Sequence, residues 1–331
     1  MSKIAVLGMG NWGTALANHL SLKGMDVLGW CPEPEVAKEI NVSHRNPLYQ
    51  SSVTLSPDLK ATTNLVEVLD RKYIVLVFPS QFLGEMLPKI RLTADSPVII
   101  SAIKGLESES LKTPLQYAAS VCASNIKLSV VSGPSFARDV VAGKPCGVVA
   151  ASSSEAVARE VAELFSGQQL RAYVSTDPLG VELGGVLKNV IAVAAGVCDA
   201  LNLGDSARAA VITRGLAEIT RLGVAMGAKE QTFFGLAGMG DLLMTASCDT
   251  SRNRTVGLRL GRGESLKAII ESLGSVAEGV KTAPAVQKLA MAYKVEMPIS
   301  SQVLQLIEGK VSPAEMIETL MSRPLKSEFV S

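Results

Sequence analysis

Histidine and aromatic side chains are scarce in this 331-residue chain, which has two histidines (His19 and His44) and 4% aromatics. Five cysteines (Cys31, Cys122, Cys146, Cys198, Cys248) are scattered and none forms a C-x-x-C pair. So few ligands at such spacings give no zinc pattern and no disulfide framework. No metal site is expected, and a reducing compartment is. An excess of either charge is also missing, because 32 Lys+Arg against 31 Asp+Glu leave a net charge of +1. That balance removes the electrostatic basis for nucleic acid or an anionic membrane as partner. The N-terminus lacks the basic start and long apolar stretch of a signal peptide. The longest apolar run, Val190 to Leu201, is short for a membrane span and is flanked by Lys188 and Asp199. A cytoplasmic protein without a membrane span is the expectation. Internal repeats, low-complexity segments and flexible linkers are absent as well.

What is present is 47% hydrophobic residues and 28 glycines, a composition suited to closely packed helices and strands with small aliphatic cores. A chain of this length exceeds what one core usually serves, so two domains are expected. Residues 1–177 alternate short apolar runs with helical stretches. The candidate strands are Lys3–Leu7, Asp26–Trp30, Val53–Leu55, Tyr73–Phe78, Val98–Ser101, Leu128–Val131, Gly147–Ala151 and Leu170–Val174. The middle ones are continuous Val/Ile/Leu runs, as in parallel strands covered on both faces. Helices are expected at Trp12–Leu22, Gln81–Ile90, Leu111–Ala123 and Ser154–Phe165. The pattern predicts an α/β fold with an N-terminal Rossmann-type doubly wound parallel sheet. From Pro178 onward strand signals vanish, and helical patterns at 179–201, 206–226, 239–246, 252–260, 266–273, 280–293, 299–307 and 314–321 predict an all-helical C-terminal domain, 178–331.

Gly8-Met9-Gly10-Asn11-Trp12-Gly13 matches G-x-G-x-x-G between the first strand and the first helix. In that context the first glycine allows the turn, the second lets backbone approach a pyrophosphate, and the third lets helix pack on strand. The helix N-terminus then faces the phosphate charge. Asn11 and Trp12 would contact the cofactor, though Trp12 suits packing equally well. The second strand runs into Cys31-Pro32-Glu33-Pro34, where neither an acid for a ribose hydroxyl nor a base for a 2′-phosphate stands at the strand end itself. Both NAD and NADP stay open as cofactors.

Three later strands each run into a polar or glycine-containing segment: Phe78-Pro79-Ser80-Gln81, Ser101–Gly105 with Lys104, and Ser132–Ala137 with Gly133 and Ser135. Along one sheet edge these would line a single crevice. In the helical half, Lys188-Asn189 interrupts an apolar helix, so Lys188 either faces a polar cavity or snorkels to the surface. Asp241 follows a glycine-rich turn, and Ser251-Arg252-Asn253-Arg254 groups anion-binding side chains at a helix start. Asp241 could complement the helix dipole alone, and Ser251 could be only a cap.

Taken in order, the segments GMGNWGTAL (8–16), FPSQ (78–81), Lys104-Gly105, SGPSFA (132–137), LKNV (187–190), GLAGMGDL (235–242), SRN (251–253) and VAEG (276–279) resemble bacterial-type NAD(P)-dependent glycerol-3-phosphate dehydrogenase over nearly the whole chain. The resemblance implies hydride exchange between NAD(P)H and dihydroxyacetone phosphate, giving glycerol 3-phosphate for phospholipid synthesis. It implies Lys188 as catalytic acid/base, with Lys104 lowering its pKa. Substrate contacts would be Lys104, Gly133, Ser135, Asn189, Asp241, Ser251, Arg252 and Asn253. Cofactor contacts would be Gly8, Gly10, Asn11, Trp12, Gly13, Phe78, Pro79, Lys104, Ala137, Arg252 and Glu278. It also implies a homodimer. Cys31-Pro32 departs from the basic residue that the family often carries there. A β-hydroxyacid or sugar-acid dehydrogenase, and a non-catalytic dinucleotide sensor, are the competing readings.

Overall fold

The computed structural model describes residues 2–90, 92–94, 96–273, 277–325 and 327–328. They form two compact units, Met1–Gly185 with Ala228–Asp241, and Val186–Gly227 with Leu242–Ser331.

The first unit is built on eight strands: β1 (Lys3–Leu7), β2 (Asp26–Trp30), β3 (Lys60–Thr62), β4 (Tyr73–Leu76), β5 (Val98–Ser101), β6 (Lys127–Ser132), β7 (Cys146–Ala151) and β8 (Leu170–Ser175). Their order in the sheet is β3-β2-β1-β4-β5-β6-β7-β8. Helices α1 (Asn11–Leu22), α2 (Pro34–Ser43), α3 (Leu83–Met86), α4 (Pro114–Val121), α5 (Ala137–Val141) and α6 (Glu155–Phe165) connect them. Successive side chains of a strand point to opposite faces, and both faces here are buried. Ile4, Val6, Tyr73, Val75, Val98 and Ile100 join one core, while Ala5, Leu7, Ile74, Leu76 and Ile99 join another. Burial on both faces explains the continuous apolar runs in the sequence.

The expected parallel sheet is parallel throughout except at one place. β7 pairs antiparallel with β6, Ser132 facing Val149. The link between them holds only the five-residue α5, too little to cover a parallel crossover. Val53–Leu55 is not a strand. Leu55 is buried in the core and Pro57 follows it, while the strand beside β2 is Lys60–Thr62. The helix expected at Gln81–Ile90 is broken into short turns, with Pro88 removing a donor from the ladder. Helix α2, absent from the expected elements, starts on Pro34 and buries Val36, Ala37 and Ile40 on one face.

The rest of the chain is helical: α7 (Pro178–Ala200), α8 (Asp205–Ala225), α9 (Glu230–Phe233), α10 (Asp241–Ser247), α11 (Arg252–Gly261), α12 (Leu266–Leu273), α13 (Glu278–Ala292), α14 (Pro298–Ile307) and α15 (Pro313–Met321). The segment expected to start a helix at Met239 is instead a π-helical turn, Leu236–Gly240, that leads into α10. Within the second unit α7 and α11 pack almost backbone to backbone. A Cβ on Gly257 would lie 1.9 Å from the Val193 carbonyl oxygen, and one on Gly196 would lie 2.1 Å from the Arg254 carbonyl oxygen. The apolar run read as short is part of a longer helix. Among the described residues α7, at 23 residues and mean hydropathy 1.6 over its most apolar stretch, is long and apolar enough to cross a membrane. That stretch is entirely buried inside the protein.

Glu182 is a buried carboxyl in the first unit, bonded by the Leu115 N–H at 2.9 Å and by the Thr113 side chain. Burial pushes it up to about 7. An unfolded glutamate titrates near ~4.3, so the folded state retains a proton that the unfolded chain releases first. Its contribution is therefore full below pH ~4 and is lost as pH rises through about 7. Glu182→Gln keeps the carbonyl acceptor and removes the titration. By denaturant unfolding it should exceed the parent chain at pH 8 by up to roughly 3 kcal/mol, a gap that narrows toward pH 5. Identical midpoints at pH 8 would contradict this.

Candidate functional site

β1, β4 and β5 end in register, Leu7 beside Leu76 and Leu76 beside Ser101. Ser101 in turn pairs with Val130 of β6, so the segments that follow these four strands leave one edge of the sheet. The glycine loop is the first of them. Gly8 has φ +109, its N–H donates to Trp30 O at 2.9 Å, and a Cβ there would lie 2.9 Å from Phe78 N. A Cβ on Gly13 would lie 1.7 Å from Gly8 O. Both positions need glycine for the protein's own packing. Gly10 does not, since its φ is −70 and a Cβ there would meet no atom within 4 Å. Gly10 caps α1 without any side-chain bond to the first-turn N–H groups, and Asn11 beside it is exposed. Buried Asn46 braces the loop, its Nδ2 donating to Met9 O at 2.7 Å and to Thr14 Oγ1 at 2.8 Å. Trp12 packs partly against the core, and its buried Nε1 has no hydrogen-bond partner among the described residues. An open approach at Gly10, an uncapped helix start and an indole donor in reserve fit a dinucleotide's pyrophosphate.

Further along the edge, Phe78 is buried and Pro79 exposed. Lys104, after β5, extends to Asp241, with Nζ 2.6 Å from Oδ2, and donates to Gly133 O at 3.2 Å. Asp241 is fully buried at the start of α10, so it has an ion pair as well as the favourable helix end. Gly133 has φ +146, and Ser135 Oγ donates to its carbonyl at 3.1 Å. Ala137 opens α5 immediately afterwards. The structure thus brings Lys104, Gly133, Ser135 and Asp241 into one polar cluster in the first unit.

In the second unit Lys188 is 4% exposed, which removes the surface alternative. Its ammonium donates to Thr245 Oγ1 at 2.7 Å. Thr245 went unnoticed in the sequence, although its spacing from Asp241 puts both on one face of α10. Asn189 and Asn253 are both buried, and Asn253 Nδ2 donates to Asn189 Oδ1 at 2.8 Å. The other end of that amide, Asn253 Oδ1, accepts from Gly279 N at 2.8 Å. A Cβ on Gly279 would lie 2.5 Å from Asn189 O, which explains the glycine of the VAEG segment; Val276 of that segment lies outside the described residues. Ser251 caps α11, accepting from Arg254 N at 3.3 Å. The two arginines of the S-R-N-R run separate in role. Arg254 is spent on Asp199 and Asp249, whereas Arg252 stands exposed at the first position of α11. Burial pushes the Glu278 carboxyl up, opposed by Lys281 and Arg252, which places Arg252 within electrostatic reach of it. Among the described residues no group of three or more His, Cys, Asp or Glu could hold a metal ion.

The family described as NAD-dependent glycerol-3-phosphate dehydrogenase matches with its N-terminal part over residues 3–158 and its C-terminal part over residues 177–318. The chain belongs to that family. It is 47% identical to the glycerol-3-phosphate dehydrogenase [NAD(P)+] of Geobacter sulfurreducens over 330 residues, 98% of each chain. It is 46% identical to the protein of the same name from Leptospira biflexa, covering 99% of this chain and all of that one. The crystal structure of glycerol-3-phosphate dehydrogenase from Coxiella burnetii superposes with a TM-score of 0.92 at 35% identity, covering 97% of this chain and 99% of that one. The same fold and the same family in both parts of the chain replace the hydroxyacid and sensor readings.

The glycine geometry separates two kinds of glycine in this dehydrogenase family member. Gly13→Ala should destabilise the fold by about 1–3 kcal/mol, because the new methyl meets backbone. Gly10→Ala should leave the melting temperature unchanged and weaken dinucleotide binding, as read by calorimetric titration. Equal losses of stability in the two variants would refute the distinction.

Proposed function

We propose that this enzyme reduces dihydroxyacetone phosphate to sn-glycerol 3-phosphate, and reverses that reaction, with Lys188 as the proton-transferring group. The observation that carries the reading is a buried ammonium on a helix that is otherwise apolar, held at Nζ by a single named hydroxyl, Thr245. Burying that charge costs several kcal/mol, which a purely structural position would avoid by using an apolar side chain. A bound nicotinamide supplies hydride to the ketone carbon, or takes it back.

The chain's own residues do the rest. Lys188 donates its proton to the carbonyl oxygen in reduction and recovers it in oxidation. Lys104, fixed by Asp241 and the Gly133 carbonyl, offers a second positive charge to the substrate's oxygens. Ser135 and Asn189 hold substrate hydroxyls, and the shared Asn189–Asn253 bond keeps both amides oriented. Arg252 and Asn253, with the capped start of α11 at Ser251, take the phosphate; guanidinium geometry suits that group better than an ammonium. Gly8, Gly10, Asn11, Trp12 and Gly13 take the pyrophosphate side of NAD or NADP. Phe78, Pro79, Ala137 and Glu278 complete the cofactor contacts. Product use in phospholipid synthesis, a cytoplasmic location and a homodimer belong to the same reading, the location supported by five unpaired cysteines.

The test is dihydroxyacetone phosphate-dependent oxidation of NADH or NADPH, followed at the nicotinamide absorbance. Robust turnover with either is expected. No oxidation of either would refute the reading.

A further inference from the structure

In a sheet of this topology the end of β2 is where the adenosine ribose of a dinucleotide is read. That strand end lies against the glycine loop through the Gly8 N to Trp30 O bond. Cys31, the next residue, is buried, with its N–H donated to Thr62 O at 3.1 Å. Pro32 is exposed and has no N–H to offer. Residues 31–35 read Cys-Pro-Glu-Pro-Glu, with two acids and no base.

Glu33 is half-buried at the N-cap of α2, but its side chain does not cap the helix. It accepts a hydrogen bond from the Tyr49 hydroxyl instead. Tyr49 is itself placed by Asn46, whose Oδ1 accepts from Tyr49 N at 3.3 Å. The same Asn46 side chain binds the glycine loop at Met9 O. One buried amide therefore sets the Tyr49–Glu33 pair in register with the pyrophosphate loop. The surroundings are anionic: after burial, Glu33, Cys31 and Glu35 each push the Tyr49 hydroxyl up.

We propose that Glu33, positioned by Tyr49, makes this enzyme selective for NADH, its carboxylate accepting the adenosine 2′-hydroxyl and repelling a 2′-phosphate. The inference rests on the glycine loop being the dinucleotide site.

Equilibrium titration of the substrate-free protein with NADH and with NADPH, followed by quenching of its two tryptophans, tests it without turnover. NADH should bind at least about tenfold more tightly, as expected for one charge-assisted hydrogen bond against one repulsion. In Glu33→Gln the ratio of the two dissociation constants should fall toward one, and in Glu33→Arg it should invert. Tyr49→Phe, which keeps the carboxylate but frees it, should narrow the ratio while NADH still binds; it decides the matter where a Glu33 variant fails to fold. A parent ratio of one, or tighter NADPH, overturns the proposal alone. A ratio unchanged in both Glu33→Gln and Tyr49→Phe overturns it too. Binding of neither nucleotide by the parent chain overturns the reading of the loop, and the proposal with it.

Discussion

Lys188→Ala is expected to lower kcat by about two to four orders of magnitude while leaving dinucleotide binding little changed. Nothing else assigned to the reaction can give a proton to the carbonyl oxygen as readily. The lysine stem is packed and its ammonium is tied to Thr245 at 2.7 Å, so truncation removes both a proton source and a cation that opposes negative charge on the reacting oxygen. Lys188→Met distinguishes chemistry from packing because it fills most of the same volume. If Lys188 only occupied a polar slot in the helix bundle, the methionine variant would fold and turn over. The reading here requires it to fold and not turn over. Thr245→Val should have a smaller effect and should move the pH profile of kcat, since it leaves the ammonium in place without one of its acceptors. Steady-state rates with dihydroxyacetone phosphate, measured beside nucleotide titrations on each variant, check all three.

The second large effect is expected at the Lys104–Asp241 pair. Asp241 is fully buried and its carboxylate lies 2.6 Å from the lysine nitrogen, so Lys104→Met takes the neutralising cation from a carboxylate that water cannot reach. Breaking one side of such a pair costs about 3 kcal/mol or more, mostly as the cost of the remaining buried charge. Removing both charges, in Lys104→Met with Asp241→Asn, should therefore recover most of the lost stability. Activity should not return with it, because the substrate still lacks the Lys104 charge. Denaturant midpoints of the two single variants and the double variant form the cycle that measures this. A Lys104→Met protein as stable as the parent would show that the pair has no such structural role.

Much of this was legible in the residues, for physical reasons that differ from place to place. The glycine loop could be read because Gly8 and Gly13 answer a local need: one backbone turn with positive φ, and one contact too close for a methyl. The continuous apolar strands could be read because a sheet buried on both faces leaves no polar alternation. By contrast, the direction of β7 depends on how little chain lies between it and β6, which no period in the sequence encodes. Val53–Leu55 has the composition of a strand, but a strand needs a free neighbouring edge, and Lys60–Thr62 takes it. In the site, Lys188 stood out because a charge interrupts an apolar helix. Its partner Thr245 did not, since a threonine on a helix is ordinary until the tertiary structure brings it to an ammonium. The division of labour between Arg252 and Arg254 was equally hidden. It depends on Asp199, more than fifty residues earlier, holding Arg254 and leaving Arg252 exposed.

The account turns on a substrate gripped by its phosphate and reduced beside Lys188. The most direct measurement is the ratio of kcat/KM for dihydroxyacetone phosphate over unphosphorylated dihydroxyacetone, in the parent chain and in Arg252→Ala. Binding energy from a remote group is used to align the reacting carbon, so the parent ratio should reach about three orders of magnitude or more. In Arg252→Ala it should collapse through a lower kcat as well as a higher KM. A parent enzyme that reduces both ketones equally well, or an Arg252→Ala protein that keeps the full ratio, would contradict it.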